Sequence, residues 1–131
     1  MTYTIDNNKV YTSYYAKACR EFPSHRLLSI SLGTPSGFTG NFVRELNPTE
    51  NLLISYKSNK ITWEEYEEIY EKDILSNLNA KEIYEKCKGR ILLCYCGDFE
   101  HCHRKLVLNW LRKNLGDSII GGEISYNKPK T

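Results

Sequence analysis

The run Cys94-Tyr95-Cys96-Gly97-Asp98-Phe99-Glu100-His101-Cys102-His103-Arg104 holds three of the chain's five cysteines and two of its three histidines. Thiols and imidazoles serve as nucleophiles, as proton carriers near neutral pH and as metal ligands. The apolar run Ile91-Leu92-Leu93-Cys94-Tyr95-Cys96 reads as a central strand buried on both faces. After the polar turn, Leu106, Val107, Trp110, Leu111 and Leu115 make the apolar stripe of a helix from about His101 to Leu115, with Gly116 as its stop. The cluster therefore lies between a strand end and a helix start. Open α/β sheets bind ligands at that end, and the unpaired N–H groups and dipole of a helix N-terminus attract anions. Arg104, in the first helical turn, can grip a phosphate or carboxylate through two hydrogen bonds. His101 and His103 add donors, and Cys102 stands where a thiol pKa falls.

Each residue also has a plainer use. Cys94 can be a small buried hydrophobe, Cys102 can pack on the sheet, His101 can cap the helix in solvent, and Arg104 can pair with Asp98 or Glu100. Taken together at a strand end, they favour a functional site.

The order Cys-x-Cys-x4-His-Cys-His raises zinc. The spacing argues against it, because structural zinc sites use a Cys-x2-4-Cys knuckle in an open turn and a distant second pair. The expectation is no metal and no cofactor, with reduced thiols; a zinc-stabilised module is the lesser alternative. Neither a Gly-x4-Gly-Lys-Ser/Thr loop nor a Gly-x-Gly-x2-Gly fingerprint occurs. The phosphatase arrangement of a nucleophilic Cys shortly before an Arg fails too, because Asp98 stands where that Cys would be.

The elements that must position the cluster are legible from periodicity and capping. Val10–Tyr14 and Leu27–Leu32 read as strands, with a short helix around Ala16 to Glu21 between them, stopped by Pro23. Gly33 to Gly40 is a loop. Asn47-Pro48-Thr49-Glu50 predicts a helix start with Asn47 as N-cap. Thr62-Trp63-Glu64-Glu65 is a capping box, followed by Tyr66, Ile69, Tyr70, Ile74 and Leu78 at helical spacing. Asn79 starts a third helix with Ile83, Tyr84 and Cys87 on its apolar side. Glu123–Tyr126 predicts a short last strand, and the tail Asn127–Thr131 a frayed end. Alternating strands and helices imply one α/β domain over residues 1–131: a small, mostly parallel sheet flanked by helices.

Composition agrees. The chain has 131 residues, 40% hydrophobic and 26% charged, enough to bury a core. A formal net charge of +2 argues against a nucleic-acid surface. No apolar run reaches the roughly 20 residues of a membrane span, and the N-terminus lacks the pattern of a secretion signal. An odd number of cysteines then suits the cytoplasm.

Leu92-Leu93-Cys94-Tyr95, the acidic loop, Cys102-His103-Arg104 and the helix with Trp110-Leu111 resemble the signature of the uncharacterised DUF488 family. Softer similarities cover Tyr11–Tyr14, Ser29–Ser31 with Pro35, Leu46 with Pro48, Tyr56-Lys57, Tyr66-Glu67 and Tyr70. Cys96 departs from the pattern, since family members often carry an acidic residue there. The resemblance implies a compact α/β fold with a polar pocket and no established reaction.

The expected function is binding of a small anionic ligand, a nucleotide or nucleotide-like phosphate, in a pocket with Cys102, His103 and Arg104 as its floor. Ser13, Ser29 and Ser31 would supply hydroxyls, and Tyr14, Phe38, Tyr56 or Tyr95 would stack on a base. Such a protein would sequester or sense its ligand. The alternative is an enzyme acting on a phosphate or glycosidic bond, with His103 as acid/base or Cys102 as nucleophile; Glu67, Asp98 and Glu100 are the candidate carboxylates.

Overall fold

The structure is a computed structural model describing residues 4–125. Its strands are β1 (Val10–Tyr14), β2 (Leu27–Ser29), β3 (Asn41–Phe42), β4 (Arg90–Cys94) and β5 (Ile120–Glu123). Its α-helices are α1 (Tyr15–Glu21), α2 (Glu50–Lys57), α3 (Trp63–Asp73), α4 (Ala80–Cys87) and α5 (His103–Leu115). The sheet runs β3-β2-β4-β1-β5, and every pairing in it is parallel. The expected α/β architecture is present.

Side chains alternate along a strand, and this sorts the core into two sides. Tyr11, Leu27, Ile91, Leu93 and Ile124 pack with Tyr15 and Ala18 of α1. Val10, Leu28, Ile30 and Leu92 pack with Tyr66 and Tyr70 of α3, Ile83 and Cys87 of α4, and Leu106, Val107, Leu108 and Leu111 of α5. Cys94, two residues beyond Leu92, faces the α5 side. From β1 the chain passes through α1 to β2 on one side, whereas from β4 it passes through α5 to β5 on the other. The neighbouring ends of β1 and β4 thus form the switch point where such sheets open a crevice.

Local differences from the sequence expectations have local causes. Thr49, not Asn47, caps α2, its Oγ1 accepting from Leu52 N at 3.1 Å. Asn47 instead closes the 3-10 turn Arg44–Leu46. The loop after Gly40 returns to the sheet as β3, whose two residues pair with Leu28 and Ser29. A 3-10 turn, Phe99–His101, delays the start of α5 to His103. β5 lies earlier than expected, and Tyr126 and the tail 127–131 fall outside the described residues. Trp110 is only half-buried at the margin of the α5 stripe, facing a groove with Glu67 and Glu71. No helix among the described residues is long and apolar enough to cross a membrane.

Candidate functional site

At the C-terminal end of β4 a cavity of about 150 Å³ opens between the sheet, α2, α3 and the start of α5. Its floor is Cys94 from the strand and Cys102 and His103 from the helix entry, with Cys96 beside them. Ser31 and Leu32 from the loop after β2, Pro48, and Leu53 and Tyr56 of α2 form one wall. Trp63 and Tyr66 of α3 form another, and exposed Tyr95, its ring edge-on to Tyr15 at 4.8 Å, borders the opening. Exposed Lys57 and His101 stand at the rim.

The α3 wall follows from spacing. Trp63, Tyr66 and Tyr70 recur at helical intervals and share one face. Their rings stack in sequence: Trp63 on Tyr66 at 5.0 Å between centroids and 15°, Tyr66 on Tyr70 at 6.1 Å and 8°. Tyr56 meets Trp63 and Tyr66 at 5.5 and 5.4 Å. The ladder runs from His101, edge-on to Trp63 at 5.6 Å, down to His103, edge-on to Tyr70 at 5.6 Å. Tyr70 is anchored by its hydroxyl, which donates to Leu46 O at 2.6 Å.

His103 is buried, and its Nε2 donates to Ile30 O at 2.6 Å. That bond fixes the tautomer and leaves Nδ1 toward Cys102 Sγ, 3.9 Å away. Burial lowers its pKa to about 4, so the ring is neutral at physiological pH. The three thiols act as a set. The neighbouring Cys102 thiol, with help from the charge of Arg104, lowers the Cys94 and Cys96 thiols below their ordinary range. Cys102, expected at this helix entry to have a lowered pKa, is instead pushed strongly upward by those two thiols and by burial. Cys96 also reaches Asp98 O at 3.4 Å.

Arg104 is fully buried but does not line the cavity. The expectation that its guanidinium points into the pocket gives way to a different placement. Nε and Nη2 bond Glu123 Oε1 and Oε2 at 3.0 and 2.8 Å, while Nη1 bonds Cys94 Sγ at 3.0 Å and Cys96 O at 2.5 Å. The rings of Tyr14 and Phe99 lie 5.9 and 5.7 Å from its central carbon. Burial alone would lower its pKa, but the Glu123 carboxylate raises it on balance. Glu123 is set in turn by Thr12, whose Oγ1 donates to Oε1 at 2.7 Å. Arg104 therefore supports the floor from behind, and its partner is neither Asp98 nor Glu100. Asp98 pairs with His101 at 2.7 Å, and Glu100 with Lys105.

Of the other expected residues, Cys102, His103, Ser31, Tyr56 and Tyr95 line the cavity. Ser13 and Ser29 are buried outside it, Ser13 donating to Ile124 O at 2.5 Å and Ser29 bonding the Tyr15 hydroxyl at 2.7 Å. Tyr14 packs by Arg104, and Phe38 lies edge-on to Tyr15 in a separate groove. Glu67 lies away on the outer side of α3. Sequence reasoning passed over Trp63 and Tyr66 as core; their spacing with Tyr70 was the available signal. It also passed over Glu123, a carboxylate within an expected strand, where a charge needs a partner.

A family model described as the active DUF488-N3 subclade matches residues 14–115. The match contains every residue of the cavity but stops short of Glu123. No curated protein and no solved structure matches the chain.

Proposed function

The chain belongs to the DUF488 family, and from that premise and the form of its cavity we propose that it binds a small anionic ligand with a planar ring, a nucleotide or nucleotide-like phosphate. The observation that carries this is the set of four aromatic side chains, Tyr56, Trp63, Tyr66 and Tyr95, around a floor of thiols and imidazole. Aromatic side chains hold planar rings by offset stacking or by edge-to-face contact. A cavity of about 150 Å³ admits one ring system and no more. The sugar and phosphate then lie at the rim, where exposed Lys57 offers positive charge; His101 is already paired with Asp98. Arg104, neutralised by Glu123, takes no part in holding the phosphate. The floor depends on reduced thiols, and all five cysteines are free; the reading accordingly places the protein in the cytoplasm, with no membrane or nucleic-acid partner.

Tryptophan fluorescence tests this. A Trp110→Phe variant leaves Trp63 as the sole tryptophan. Nucleoside monophosphates should quench it saturably, more strongly than the parent nucleosides, and the difference should shrink with salt. Absence of both quenching and thermal stabilisation across the panel at millimolar ligand would reject the proposal.

A second reading is catalysis on a phosphate or glycosidic bond of the same ligand, by His103 or Cys102. It is favoured by the family model's description as active and by both side chains lining the cavity. Chromatography of the same panel after incubation separates a binder, which returns the ligand unchanged, from an enzyme.

A further inference from the structure

We propose that Cys94, Cys102 and His103 bind a zinc ion on the cavity floor, with its fourth coordination position open to the cavity. The ligating atoms of these three buried residues all lie within 4.8 Å of one another. Tetrahedral zinc with Zn–S near 2.3 Å and Zn–N near 2.0–2.1 Å requires ligand atoms about 3.5–3.8 Å apart. Cys102 Sγ and His103 Nδ1, at 3.9 Å, already stand close to that edge. Small rotations of the side chains complete the triangle.

The surroundings are those a metal site needs. A ligating histidine must present one nitrogen and anchor the other. The Nε2–H bond to Ile30 O does this, leaving the Nδ1 lone pair on the thiol side. A ligating thiolate is held by N–H groups directed at sulfur, and Arg104 Nη1 lies 3.0 Å from Cys94 Sγ. Two thiolates and a neutral imidazole balance a divalent charge, and sulfur with nitrogen selects zinc over magnesium or calcium. Uptake releases the two thiol protons to solvent.

Spacing in the sequence argued against zinc because it was compared with two knuckles. The fold supplies the ligands differently: one from the end of β4 and two from the entry to α5. Three protein ligands and a free position facing a cavity is the arrangement of zinc sites that act on a bound molecule, not of closed structural ones. Cys96 stays at the side, in contact with Asp98 O, and is not one of the three.

The site rests on the three ligating atoms and not on the nucleotide reading, so the test uses metal alone. Full-length protein, stripped of metal and kept reduced, is titrated with Co2+, a spectroscopic stand-in for zinc. The expected result is one equivalent bound, with the visible bands of tetrahedral Co2+ and a near-ultraviolet thiolate charge-transfer band, both erased by one equivalent of Zn2+. Cys94→Ser, Cys102→Ser and His103→Ala each lose the tetrahedral spectrum, while Cys96→Ser and Cys19→Ser keep it. Wild-type protein that binds no Co2+ with its thiols reduced overturns the site, and this measurement needs no variant to fold. Loss of the spectrum in Cys96→Ser overturns the open position. Nucleotide quenching of Trp63 is read separately, so either proposal can fail without the other.

Discussion

Arg104 and Glu123 meet through two parallel hydrogen bonds, of 3.0 and 2.8 Å, with the guanidinium wholly shielded from solvent. The pair joins the first turn of α5 to the end of β5, while Nη1 holds the sulfur of Cys94 and the carbonyl of Cys96. One side chain thus fixes the strand end, the helix entry and the edge strand together. Removing one partner of a buried pair leaves the other charge uncompensated. Arg104→Ala is expected to destabilise the protein by about 3–5 kcal/mol, comparable with Leu111→Ala at about 2–5 kcal/mol. Urea unfolding of the two variants measures this. An Arg104→Ala protein as stable as wild type would show that the pair does not hold the turn.

Trp110→Ala should cost less than Leu111→Ala. Leu111 is fully buried in the larger core cluster, whereas Trp110 only packs against it and remains half in solvent. The two variants, compared by urea midpoints at unchanged m-value, test the ranking. A larger loss for Trp110→Ala would place the weight of the α5 stripe on its margin.

How much could be read from the chain depended on the range of the cause. β1, the capping-box start of α3 at Thr62 and the Asn79 cap of α4 rest on neighbouring residues, and all three stand as expected. The cluster's location at the end of β4 was also legible, because a continuous apolar run followed by a polar turn and an amphipathic stripe is itself a local pattern. The direction of Arg104 was not. It depends on Glu123, which β5 brings beside β1 only once the sheet has assembled. Serines at strand ends were equally ambiguous: Ser31 lines the cavity while its hydroxyl bonds Gly33 O and Tyr15, and Ser13 and Ser29, outside it, spend their hydroxyls on Ile124 O and Tyr15.

Tyr70→Phe isolates one buried hydrogen bond. Tyr70 is fully buried, and its hydroxyl is the donor to Leu46 O at 2.6 Å. The variant keeps the ring and leaves that carbonyl without this donor, at a cost of about 1–3 kcal/mol. The stack with Tyr66 and the edge contact with His103 should persist, so ligand quenching of Trp63 should change little. Calorimetric melting gives the stability difference. A loss of quenching equal to that in a Tyr66→Ala variant would show that the hydroxyl, and not the ring, shapes the wall.

Thr62→Ala tests the cap of the aromatic wall. Thr62 is exposed and bonds Glu65 N at 3.1 Å, while Glu65 returns a bond to Thr62 N at 2.9 Å. Loss of the cap is expected to cost about 1 kcal/mol. Because Trp63 is the next residue, fraying should begin at the wall and show as faster amide hydrogen exchange in the first turn of α3. Thr62→Ser, which keeps the oxygen, should restore wild-type exchange. Exchange in Thr62→Ala that matches wild type would mean the aromatic stack alone holds the turn.

Two cysteines outside the cluster should behave as opposites. Cys19 is exposed on α1, while Cys87 is fully buried at the end of α4. Burial pushes the Cys87 thiol from its ordinary value of 9.0 up to about 12. The thiolate is the reactive species, so a disulfide reagent should label Cys19 in the folded protein and reach Cys87 only on unfolding. The same shift sets a pH dependence. Below pH 9 the thiol is protonated in both states and contributes no slope. Between pH 9 and about 12 the unfolded chain gives up a proton that the folded chain retains. Stability must therefore fall as pH rises, by at most about 1.4 kcal/mol per pH unit from this group. Cys87→Ala removes that component while leaving every other titrating group in place. Urea midpoints at pH 8 and pH 10 should consequently differ less for Cys87→Ala than for wild type. Equal differences, or rapid labelling of Cys87 in the native state, would show that α4 opens to solvent and that its thiol ionises as freely folded as unfolded.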